Sequence, residues 1–570
     1  MARKINYDNW SKEDLIKELR RIKETKYGLV WHRDLPEEKI DILINPDART
    51  PNEMFPNEMA GKPFPILKET KGKEINGDKG KPVNLLIEGD NYHSLAVLNF
   101  THHEAVDLIY IDPPYNTGSD DFRYNDKRVD TEDPFRHSKW LNFMEKRLKL
   151  ARNLLKKSGL IFISINDVEI AQLKMLCDEI FQEQNFLALI SWQSTDTLRN
   201  DAKYFSANSE FILCYAKEKD EAKMKGIIKG EKQKGYYKND DNDGKGPYLL
   251  TPLHAKSGSE SGIYEYTFKN KQTWKPPKGT FPRFAKETLV RMEQEGRIWL
   301  DPKGNKVPQR KTYLSEVSER MPVWTFWRYE DFGSTRQSNQ ELSGILDKGV
   351  FQNPKPTKLI KIIADLVLGK DGILLDFFAG SGTTGHAVLE LNKEDGGDRR
   401  FILCTNNEEL DNNGNSVKHR ICTDVCYPRL KKVIKGYKNT KGESVAGLGG
   451  NLKYYKTDFV EAEPTDRNKR KLVQESTGML CILENAFELM QEAPEFKIFK
   501  NSDKYLGIVY YEEAIGDFKK AIQKIKGHFN AYIFSMTDDP HTDQFADFDD
   551  KVTLRAIPEV ILKVYREIFK

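Results

Sequence analysis

From about residue 83 onward, short apolar runs alternate with longer amphipathic stretches. The apolar runs predict strands at "VNLLIEG", "VDLIYID" and "LIFISI". The amphipathic stretches predict helices at "DNYHSLAVLNF", "HSKWLNFMEKRLKLARNLLKKSG" and "DVEIAQLKMLCDEIF". Strands that alternate with helices are typical of a parallel α/β sheet, which binds ligands at the carboxyl ends of its strands. The pattern therefore predicts such a sheet.

The alternation stops after "NSEFILCYAK" and returns at "PTKLIKIIADLVLGKDGILLDFFAGSG", which the strand "RRFILC" follows. The residues between are rich in Lys, Gly, Pro and aromatic side chains. The simplest interpretation is one α/β sheet interrupted by an inserted domain. The predicted regions are an N-terminal helix and irregular arm at 1–82, the first part of the sheet domain at 83–219, the inserted domain at 220–340, the second part of the sheet domain at 341–450 and a small α+β domain at 451–570.

Composition restricts the classes of protein without choosing among them. The 570 residues include 90 basic and 87 acidic side chains, and the resulting net charge of +3 neither demands nor excludes nucleic acid. Six scattered cysteines form no CxxC pair, which predicts free thiols in a reducing compartment. No apolar run is long enough to span a bilayer, so we expect a cytoplasmic protein without membrane contact. The histidines lack zinc-ligand spacing, and no metal is predicted.

The segment "LLDFFAGSGTTGHAVLEL" places small residues between a predicted strand and a predicted helix. Gly380 and Gly382 allow a tight turn, and Thr383 or Thr384 can cap the helix. A P-loop requires Lys where Thr383 stands, so ATP binding is not indicated. The letters "GSGTTG" fit the GxGxxG pattern of dinucleotide binding. S-adenosylmethionine is a second candidate, because Asp376 can meet its cationic amino-acid end, and an ordinary tight turn is a third interpretation.

The segment "VDLIYIDPPY" ends a predicted strand with an acid, two prolines and a tyrosine. Pro113 and Pro114 remove two backbone donors and restrict the chain. The carboxylate of Asp112 and nearby carbonyl oxygens form a rigid cluster of acceptors beside the flat ring of Tyr115. Such a cluster recognises a planar group that bears an NH2, such as adenine. The alternative is a strand-terminating proline pair with a packed tyrosine.

The two loops can serve one reaction. Hydrogen bonds from an amine to Asp112 and to the Pro113 carbonyl favour a pyramidal nitrogen, whose lone pair can then attack a methyl group on a sulfonium. Positioning alone can supply several kcal/mol of barrier reduction for such an in-line displacement. No strong base is needed first, because the proton can leave after the methyl group arrives.

Together, "DPPY" and "DFFAGSGTT" resemble the amino-methyltransferases that modify DNA bases. The order, with the catalytic loop first, resembles the circularly permuted beta class of adenine-N6 methyltransferases, which have a Rossmann-like α/β sheet. "LIEGDNYHSLAVL", "FQNPKPTKLIKII" and the tail from "GLGGNLKYYKTDFV" resemble the modification subunits of type III restriction–modification systems. The resemblance implies S-adenosyl-L-methionine as the cofactor, double-stranded DNA as the substrate, a homodimer and a separate ATP-dependent restriction subunit.

The resemblance also implies roles for individual residues. The target-base pocket comprises Asp112, Pro113, Pro114 and Tyr115. The methyl donor is surrounded by Asp376, Phe378, Ala379, Gly380, Ser381, Gly382 and Thr383, with Asp90 near its adenosine and Lys358 with its "PKP" neighbourhood on its methionine side. Related folds present an acid directly after the strand equivalent to "RRFILC". Here "TNNEE" intervenes, so Asn406 or Glu408 is the candidate for the ribose.

The inserted region interleaves cations with aromatics in "YTFKNKQTWKPPKGTFPRF" and "VPQRKTYLSEVSERMPVWTFWRY". Cations can neutralise phosphates, and aromatics can stack on unpaired bases. The ordinary interpretation of such runs is a charged surface loop, but inside a DNA methyltransferase they favour target recognition. The predicted DNA-binding residues are Lys269, Lys271, Trp274, Lys275, Lys278, Arg283, Arg310 and Lys311.

The favoured interpretation is a sequence-specific adenine-N6 methyltransferase. Similar loops also serve enzymes that methylate cytosine N4, guanine N2 in RNA, or glutamine side chains in proteins, so the motif alone leaves the amine open. A DNA-binding protein that has lost catalysis is the alternative from another class. Intact Asp112, Tyr115 and both loop glycines argue against it.

Overall fold

The computed structural model describes residues 62–118 except 79, 132–198, 202–410, 419–461, 463–501, 504–534 and 541–558, with short pieces between 11 and 54 and at 123–124, 127–128, 561–562 and 564. The chain divides into two compact units. The first comprises residues 1–224 and 324–570, and the second comprises residues 225–323. The predicted N-terminal helix lies mostly outside the described residues.

The part of the first unit that precedes the second follows the predicted alternation. Its strands are β1 (Phe64–Glu69), β2 (Ile75–Asn76), β3 (Val83–Glu88), β4 (Val106–Ile111), β5 (Arg123–Tyr124), β6 (Lys127–Arg128), β7 (Leu155–Ile165), β8 (Phe186–Gln193) and β9 (Ser209–Ala216). Its α-helices are α1 (Pro51–Met54), α2 (Asn91–Thr101), α3 (Arg136–Leu154) and α4 (Ile170–Cys177), with a π-helical turn at Asp178–Gln182 and a 3-10 turn at Glu183–Asn185. The side chains of β3 and β4 are largely buried, as expected of continuous apolar runs in a sheet covered on both faces.

The described residues of the second unit form short antiparallel pairings and two α-helices. Its elements are β10 (Ile227–Ile228), α5 (Glu231–Lys234), β11 (Tyr248–Pro252), β12 (His254–Ala255), a 3-10 turn at Glu260–Gly262, β13 (Tyr266–Thr267), β14 (Thr273–Trp274), β15 (Phe281–Pro282), α6 (Lys286–Gln294), β16 (Ile298–Trp299), β17 (Gln309–Tyr313), a 3-10 turn at Leu314–Glu316 and β18 (Arg320–Met321). A small apolar core holds the unit together and comprises Leu253, Phe268, Trp274, Leu289 and Ile298.

The first unit resumes with the returning helix–strand pattern. Its elements up to residue 460 are β19 (Phe326–Trp327), α7 (Tyr329–Phe332), α8 (Thr335–Ile345), α9 (Thr357–Val367), β20 (Ile373–Asp376), α10 (Thr383–Asp395), β21 (Arg400–Thr405), β22 (Glu409–Leu410), β23 (His419–Arg420), a π-helical turn at Ile421–Cys426, α11 (Tyr427–Lys435), β24 (Gly436–Lys438), β25 (Ser444–Ala446) and β26 (Asn451–Val460). Ser334 caps α8 through a capping box with Gln337, which satisfies two helix-end donors.

The C-terminal residues add α12 (Asp466–Glu484) and a second sheet. That sheet and its connections comprise β27 (Glu488–Glu492), β28 (Phe496–Lys500), β29 (Tyr505–Val509), a 3-10 turn at Glu512–Ala514, α13 (Ile515–Gln523), β30 (Phe529–Ile533), a 3-10 turn at Thr542–Phe548 and β31 (Val552–Arg555). The strand order is β27-β28-β29-β30-β31, and Phe518 of α13 packs against Phe496 and Phe529. The small α+β arrangement expected near the C-terminus is thus present.

The main sheet has the order β1-β26-β3-β21-β20-β4-β7-β9-β8-β19. Strands β26 through β7 in this order are all parallel, which confirms the predicted Rossmann-like α/β class. Along the chain, β4 with the "DPPY" loop precedes β20 with the glycine loop, as in a circularly permuted member of this class. The sheet is mixed, however, because β9 pairs antiparallel with both β7 and β8. The described residues between β8 and β9, 194–198 and 202–208, contain no crossover helix, which agrees with the antiparallel arrangement.

Three predicted boundaries differ from the structure. β1 lies within the stretch expected to be irregular, and it pairs with β26 at one side of the sheet. Residues 324–340 belong to the first unit, where β19 pairs with β8, so the second unit is shorter than the predicted insertion. β26 belongs to the main sheet rather than to a separate C-terminal domain. A boundary set by hydrogen bonding between distant strands leaves little trace in local periodicity.

All six cysteines are buried and unpaired, as predicted. Among the described residues, no helix has both the length and the apolar character that crossing a membrane requires.

Candidate active site

The two loops that are more than two hundred residues apart in the chain meet at one edge of the main sheet. β4 and β20 are adjacent parallel strands, with Leu108 opposite Leu374 and Ile109 opposite Leu375. Asp112 follows the carboxyl end of β4, and Asp376 is the last residue of β20. Ligands bind at this edge of parallel sheets. The juxtaposition on which the predicted reaction depends is therefore confirmed.

The loop after β4 is fixed by hydrogen bonds to the helices behind it. The indole N–H of Trp140 donates to the Pro114 carbonyl at 2.7 Å, and the Asn116 amide donates to Glu169 Oε1 at 2.5 Å. Asn116 has a left-handed backbone with φ of 56°, a conformation that asparagine tolerates better than most residues. Within the described part of the chain, no hydrogen bond to the Pro113 carbonyl is found. The bonds from Trp140 and to Glu169 therefore hold the loop in place.

Three polar side chains form a compact cluster around Asp112. The Lys355 ammonium lies 2.8 Å from the Asp112 carboxylate and 3.4 Å from Glu210 Oε2. The Tyr115 hydroxyl lies 2.9 Å from Asp112 Oδ1 and 2.7 Å from Glu210 Oε2. The side chains of Asp112, Lys355 and Glu210 retain 27%, 11% and 20% exposure, so the cluster keeps access to solvent.

Burial and charge set the protonation of this cluster. Burial raises the pKa of Asp112, and Lys355 only partly offsets that effect. Burial opposes the charge of Lys355, but the carboxylates of Asp112 and Glu210 outweigh it and raise the pKa of that ammonium. Burial and the same two carboxylates raise the pKa of Tyr115 well above its ordinary value. In this pocket Lys355 therefore stays cationic and Tyr115 stays protonated, whereas Asp112 binds a proton more readily than an ordinary aspartate does.

The glycine-containing loop joins β20 to α10 through two left-handed residues. Gly380 has φ of 48° and Gly382 has φ of 77°, and a Cβ at Gly382 would lie 3.0 Å from the sulfur of Cys426. Only glycine fits this backbone without strain. The Gly382 amide donates to the Ala379 carbonyl at 2.8 Å and closes the turn. Ser381 and Thr383 are buried, and α10 begins at Thr383.

Asp376 is buried at the base of this loop. Its two carboxylate oxygens accept hydrogen bonds from the Phe378 amide at 2.9 Å and from the Thr384 hydroxyl at 2.5 Å. Burial raises the pKa of Asp376 to about 7, and the negative charge of Asp112 contributes to the rise. A buried carboxyl with so high a pKa is stabilised in its charged form by a cation. The tight glycine backbone and this carboxyl therefore fit a ligand with a cationic end, as S-adenosylmethionine has.

Arg429, from α11, anchors the same loop from behind. Its guanidinium is buried and donates to Thr383 at 2.7 Å, to Ser381 at 3.1 Å and to Glu341 at 3.3 Å. Glu341 lies close to His386 and Glu390, and these three form the one group of potential metal ligands found among the described residues. Arg429 and Lys361 already neutralise the two acids, so the group acts as an internal charge network.

Asp90 is connected to the glycine loop through a buried arginine. Asp90 caps α2, and Arg147 donates to it at 3.0 Å and to the Asn91 side chain at 2.5 Å. The Asn91 amide donates to the Phe377 carbonyl at 2.8 Å. Burial acts to raise the pKa of Asp90, but the charges of Arg147 and His93 and the hydrogen bonds from Arg147 and the Tyr92 amide together outweigh it, and the pKa is lowered. Asp90 is therefore a fixed anion at the end of β3.

Three further residues were predicted for the donor site: Lys358, Asn406 and Glu408. Lys358 is exposed and donates to the Glu330 carbonyl at 2.7 Å; the lysine next to Asp112 is Lys355, within the "PKP" neighbourhood that was predicted. Asn406 is half-buried directly after β21, and Glu408 is exposed, with its carbonyl bonded to the Ile421 amide. Local sequence could not show whether Lys355 or Lys358 contacts Asp112, because the turn that begins α9 decides which of the two side chains faces that carboxylate.

The predicted DNA-binding residues of the second unit divide into two groups. The exposed group comprises Lys269, Lys271, Lys275, Lys278 and Arg283. Trp274 is buried in the core of the unit, which corrects the prediction that its ring is available to stack on a base. Arg310 packs over Phe284, and Lys311 forms an ion pair with Asp241, so both are half-buried within the unit. An aromatic ring that is flanked by cations in the sequence can therefore be buried in the core of a small domain.

Sequence patterns missed four residues of the pocket: Lys355 as a partner of Asp112, Glu210, Arg147 and Arg429. Lys355 and Glu210 each carried a weak signal, as a charge between two prolines and a charge at the start of a buried strand. Arg147 and Arg429 lie on helices where charged residues are common, and no local signal separates them from surface arginines.

One family model and several known proteins are similar to this chain. The DNA methylase family matches residues 106–413 of the chain. The StyLTI Mod subunit of a type III restriction–modification enzyme from Salmonella typhimurium is 35% identical over 65% of this chain, although the match spans only 60% of that subunit. The EcoPI Mod subunit of Escherichia phage P1 is 31% identical over 71% of each chain. The solved PvuII cytosine-N4 DNA methyltransferase is 15% identical with a TM-score of 0.30 over 60% of this chain and 92% of that one, a likeness too low to carry an argument.

Proposed function

The chain belongs to the DNA methylase family, and from this premise we propose that it is a sequence-specific DNA methyltransferase. It transfers a methyl group from S-adenosyl-L-methionine to N6 of a flipped-out adenine, as the modification subunit of a type III restriction–modification system. The observation that carries the proposal is the adjacency of β4 and β20, which brings the acceptor cluster of Asp112 beside the glycine loop.

Asp112 and the Pro113 carbonyl accept the two N–H bonds of the adenine amine in this proposal. Their hydrogen bonds hold the nitrogen and favour a pyramidal geometry, so that its lone pair points toward the donor. Lys355 keeps the Asp112 carboxylate oriented from the opposite side. The Tyr115 ring lies beside the acceptors, where it can stack on the extruded base. Trp140, by fixing the Pro114 carbonyl, keeps the loop from moving away.

The donor site is assigned to the glycine loop and its neighbours. When bound there, S-adenosyl-L-methionine would supply an electrophilic methyl group on a positively charged sulfur. Asp376 accepts the cationic amino-acid end, and Asp90 lies toward the adenosine. The backbone from Phe378 to Thr383 forms the wall between them. Asn406 or Glu408, after β21, holds the ribose, and Lys358 lies at the outer part of the methionine side.

The second unit is proposed as the target-recognition domain. Residues 225–323 carry 20 lysines and arginines against 12 aspartates and glutamates, a net charge of +8, although the whole chain carries only +3. The excess positive charge is therefore confined to this unit, and the rest of the chain has a net charge of −5. A basic surface on a compact unit favours contact with DNA phosphates. Lys269, Lys271, Lys275, Lys278 and Arg283 are assigned to this contact, with Arg310 and Lys311 supporting it from within the unit.

Two of the named relatives are Mod subunits of type III enzymes, and we infer that this chain also works within such an enzyme. A second copy would form a homodimer, and a separate ATP-dependent restriction subunit would complete the enzyme. Purification of the chain with its neighbouring gene product, followed by light scattering, tests both assemblies. A monomer that binds no second subunit would restrict the proposal to methylation alone.

Nucleoside analysis tests the reaction. The protein is incubated with labelled S-adenosyl-L-methionine and with DNA, RNA or protein in separate reactions. We expect N6-methyladenine in DNA and no label in RNA or protein. N4-methylcytosine would retain the chemistry but change the base, and an absence of label in every substrate would favour a DNA-binding protein without catalysis. Sequencing of modified adenines in a host genome then gives the recognition site.

A further inference from the structure

The Tyr115 hydroxyl lies between two carboxylates but has a single proton. Its oxygen is 2.9 Å from Asp112 Oδ1 and 2.7 Å from Glu210 Oε2, and both are hydrogen-bond distances. One hydroxyl proton can complete only one of these bonds when both carboxylates are charged. One additional proton on Asp112 completes both bonds, with Asp112 donating to Tyr115 and Tyr115 donating to Glu210. The geometry is therefore satisfied in a state that holds one more proton than the resting charges supply.

The proposed reaction produces one proton at this position. The amine nitrogen uses its lone pair for the new bond to carbon and stays cationic until it loses one of its hydrogens. Asp112 is the carboxylate that accepts those hydrogens. The Asp112 side chain is 27% exposed, but a base bound to this carboxylate covers it, whereas Glu210, near the start of β9, keeps 20% exposure and does not contact the base in the proposed reaction. The proton therefore needs a path from the covered Asp112 to a second carboxylate that reaches solvent.

Resting on the proposed function, we propose that Asp112, Tyr115 and Glu210 form a proton relay that removes the proton lost by the methylated amine. The amine gives its proton to Asp112 Oδ1. Tyr115 Oη takes this proton as it gives its own to Glu210 Oε2, and Glu210 releases a proton to water. Each oxygen then returns to its starting state, and no oxidant, metal or further reactant is required.

The charges around the relay support its direction. Lys355 contacts both carboxylates and is the one cation that faces them among the described residues of the pocket. Tyr110, on β4, faces the same cluster and bonds to Ser164 at 2.8 Å, and Asp376 lies on the Asp112 side. The negative charge of Glu210 raises the pKa of Asp112 and so promotes proton uptake there. Lys355 fixes both ends of the relay and is a positioning residue.

Steady-state methylation with Glu210→Gln, Tyr115→Phe and the double variant tests the relay. Groups that act in series are not additive, so the double variant should be no slower than the slower single variant. We expect each single variant to lose at least about tenfold in kcat, because proton removal follows methyl transfer and must be complete before the enzyme can turn over again. Glu210→Asp, which keeps a carboxylate, should recover much of the loss. Multiplying losses, or a wild-type rate for Glu210→Gln, would overturn the relay.

Infrared titration of the cofactor-free protein gives a readout that does not depend on catalysis. The negative charge of Glu210 is one cause of the raised pKa of Asp112. Removal of the Glu210 charge in Glu210→Gln should move the protonation midpoint of the remaining Asp112 to lower pH, because a like charge is lost. An unchanged midpoint would contradict the relay even if wild type methylates no substrate. Normal wild-type methylation combined with that result would reject the relay and leave the proposed function intact.

Discussion

The catalytic edge of the main sheet and the second unit treat charge in opposite ways. At the catalytic edge, Asp112, Lys355, Glu210 and Arg429 are largely buried, and each is hydrogen-bonded to another named side chain. In the second unit, most predicted DNA-contacting lysines are exposed, and the net charge of +8 is left to the solvent. A buried charge costs several kcal/mol without a partner, whereas an exposed lysine costs little and attracts phosphates. The buried, paired charges hold the atoms of the proposed reaction in place, whereas the exposed lysines can bind DNA phosphates in more than one arrangement.

The comparison predicts that single changes at the catalytic edge have the largest effects. Asp112→Ala should lower the methylation rate by at least about 10³-fold, because it removes the acceptor that orients the amine. Donor binding, measured by calorimetry, should stay within a few-fold of wild type. Gly382→Asp is the matched change in the other loop, and it should weaken donor binding itself. Equal methylation by wild type and Asp112→Ala would reject the pocket.

Removal of a buried charge partner tests the same contrast through stability. Arg429→Met leaves Glu341 without its guanidinium and the glycine loop without its anchor. We expect a loss of about 3 kcal/mol in unfolding free energy, as for other broken buried ion pairs. Urea unfolding measures it. Arg470→Met, which changes an exposed arginine on α12, is the control and should cost less than about 0.5 kcal/mol. Equal costs for the two changes would remove the distinction.

The titration of Asp376 gives a smaller and reversible effect. Its folded-state pKa of about 7 lies above the ordinary value, so the carboxyl favours folding at acid pH and loses that contribution as pH rises through about 7. A cationic donor needs the charged form. We therefore expect donor affinity to rise about tenfold between about pH 6 and pH 8. Calorimetry at both values tests this. Asp376→Asn should remove the dependence, whereas Asp371→Asn, at an exposed site, should retain it.

Changes in the second unit should have the smallest effects and act on DNA affinity. Lys278→Ala removes one exposed cation, and the slope of log affinity against log salt should become shallower by about 1. Methylation at saturating DNA should stay unchanged. Lys311→Ala is the matched control, because that lysine is paired with Asp241, and it should alter the stability of the unit more than the salt slope. Fluorescence anisotropy over a range of salt concentrations separates the two outcomes.

Local sequence predicted the helices and strands better than it predicted which of them are in contact. The run "VDLIYIDPPY" predicted a strand that ends in an acceptor cluster, and β4 with its rigid loop agrees with that prediction. Trp274 shows where composition misleads, since a tryptophan among lysines resembles a stacking surface but is the core of a small unit. β26 shows a second limit, because its place in the main sheet depends on pairing with β3, more than three hundred residues earlier.

The sequence by itself determined the strand and helix pattern, the two loops and their order, since periodicity and backbone-restricting residues act over a few positions. It also indicated the family and the reaction through those loops. Only the tertiary structure decided that Lys355 rather than Lys358 meets Asp112, that Glu210 completes the cluster and that Arg429 anchors the glycine loop. Contacts between side chains on different elements depend on how the strands align, and no single segment contains that information.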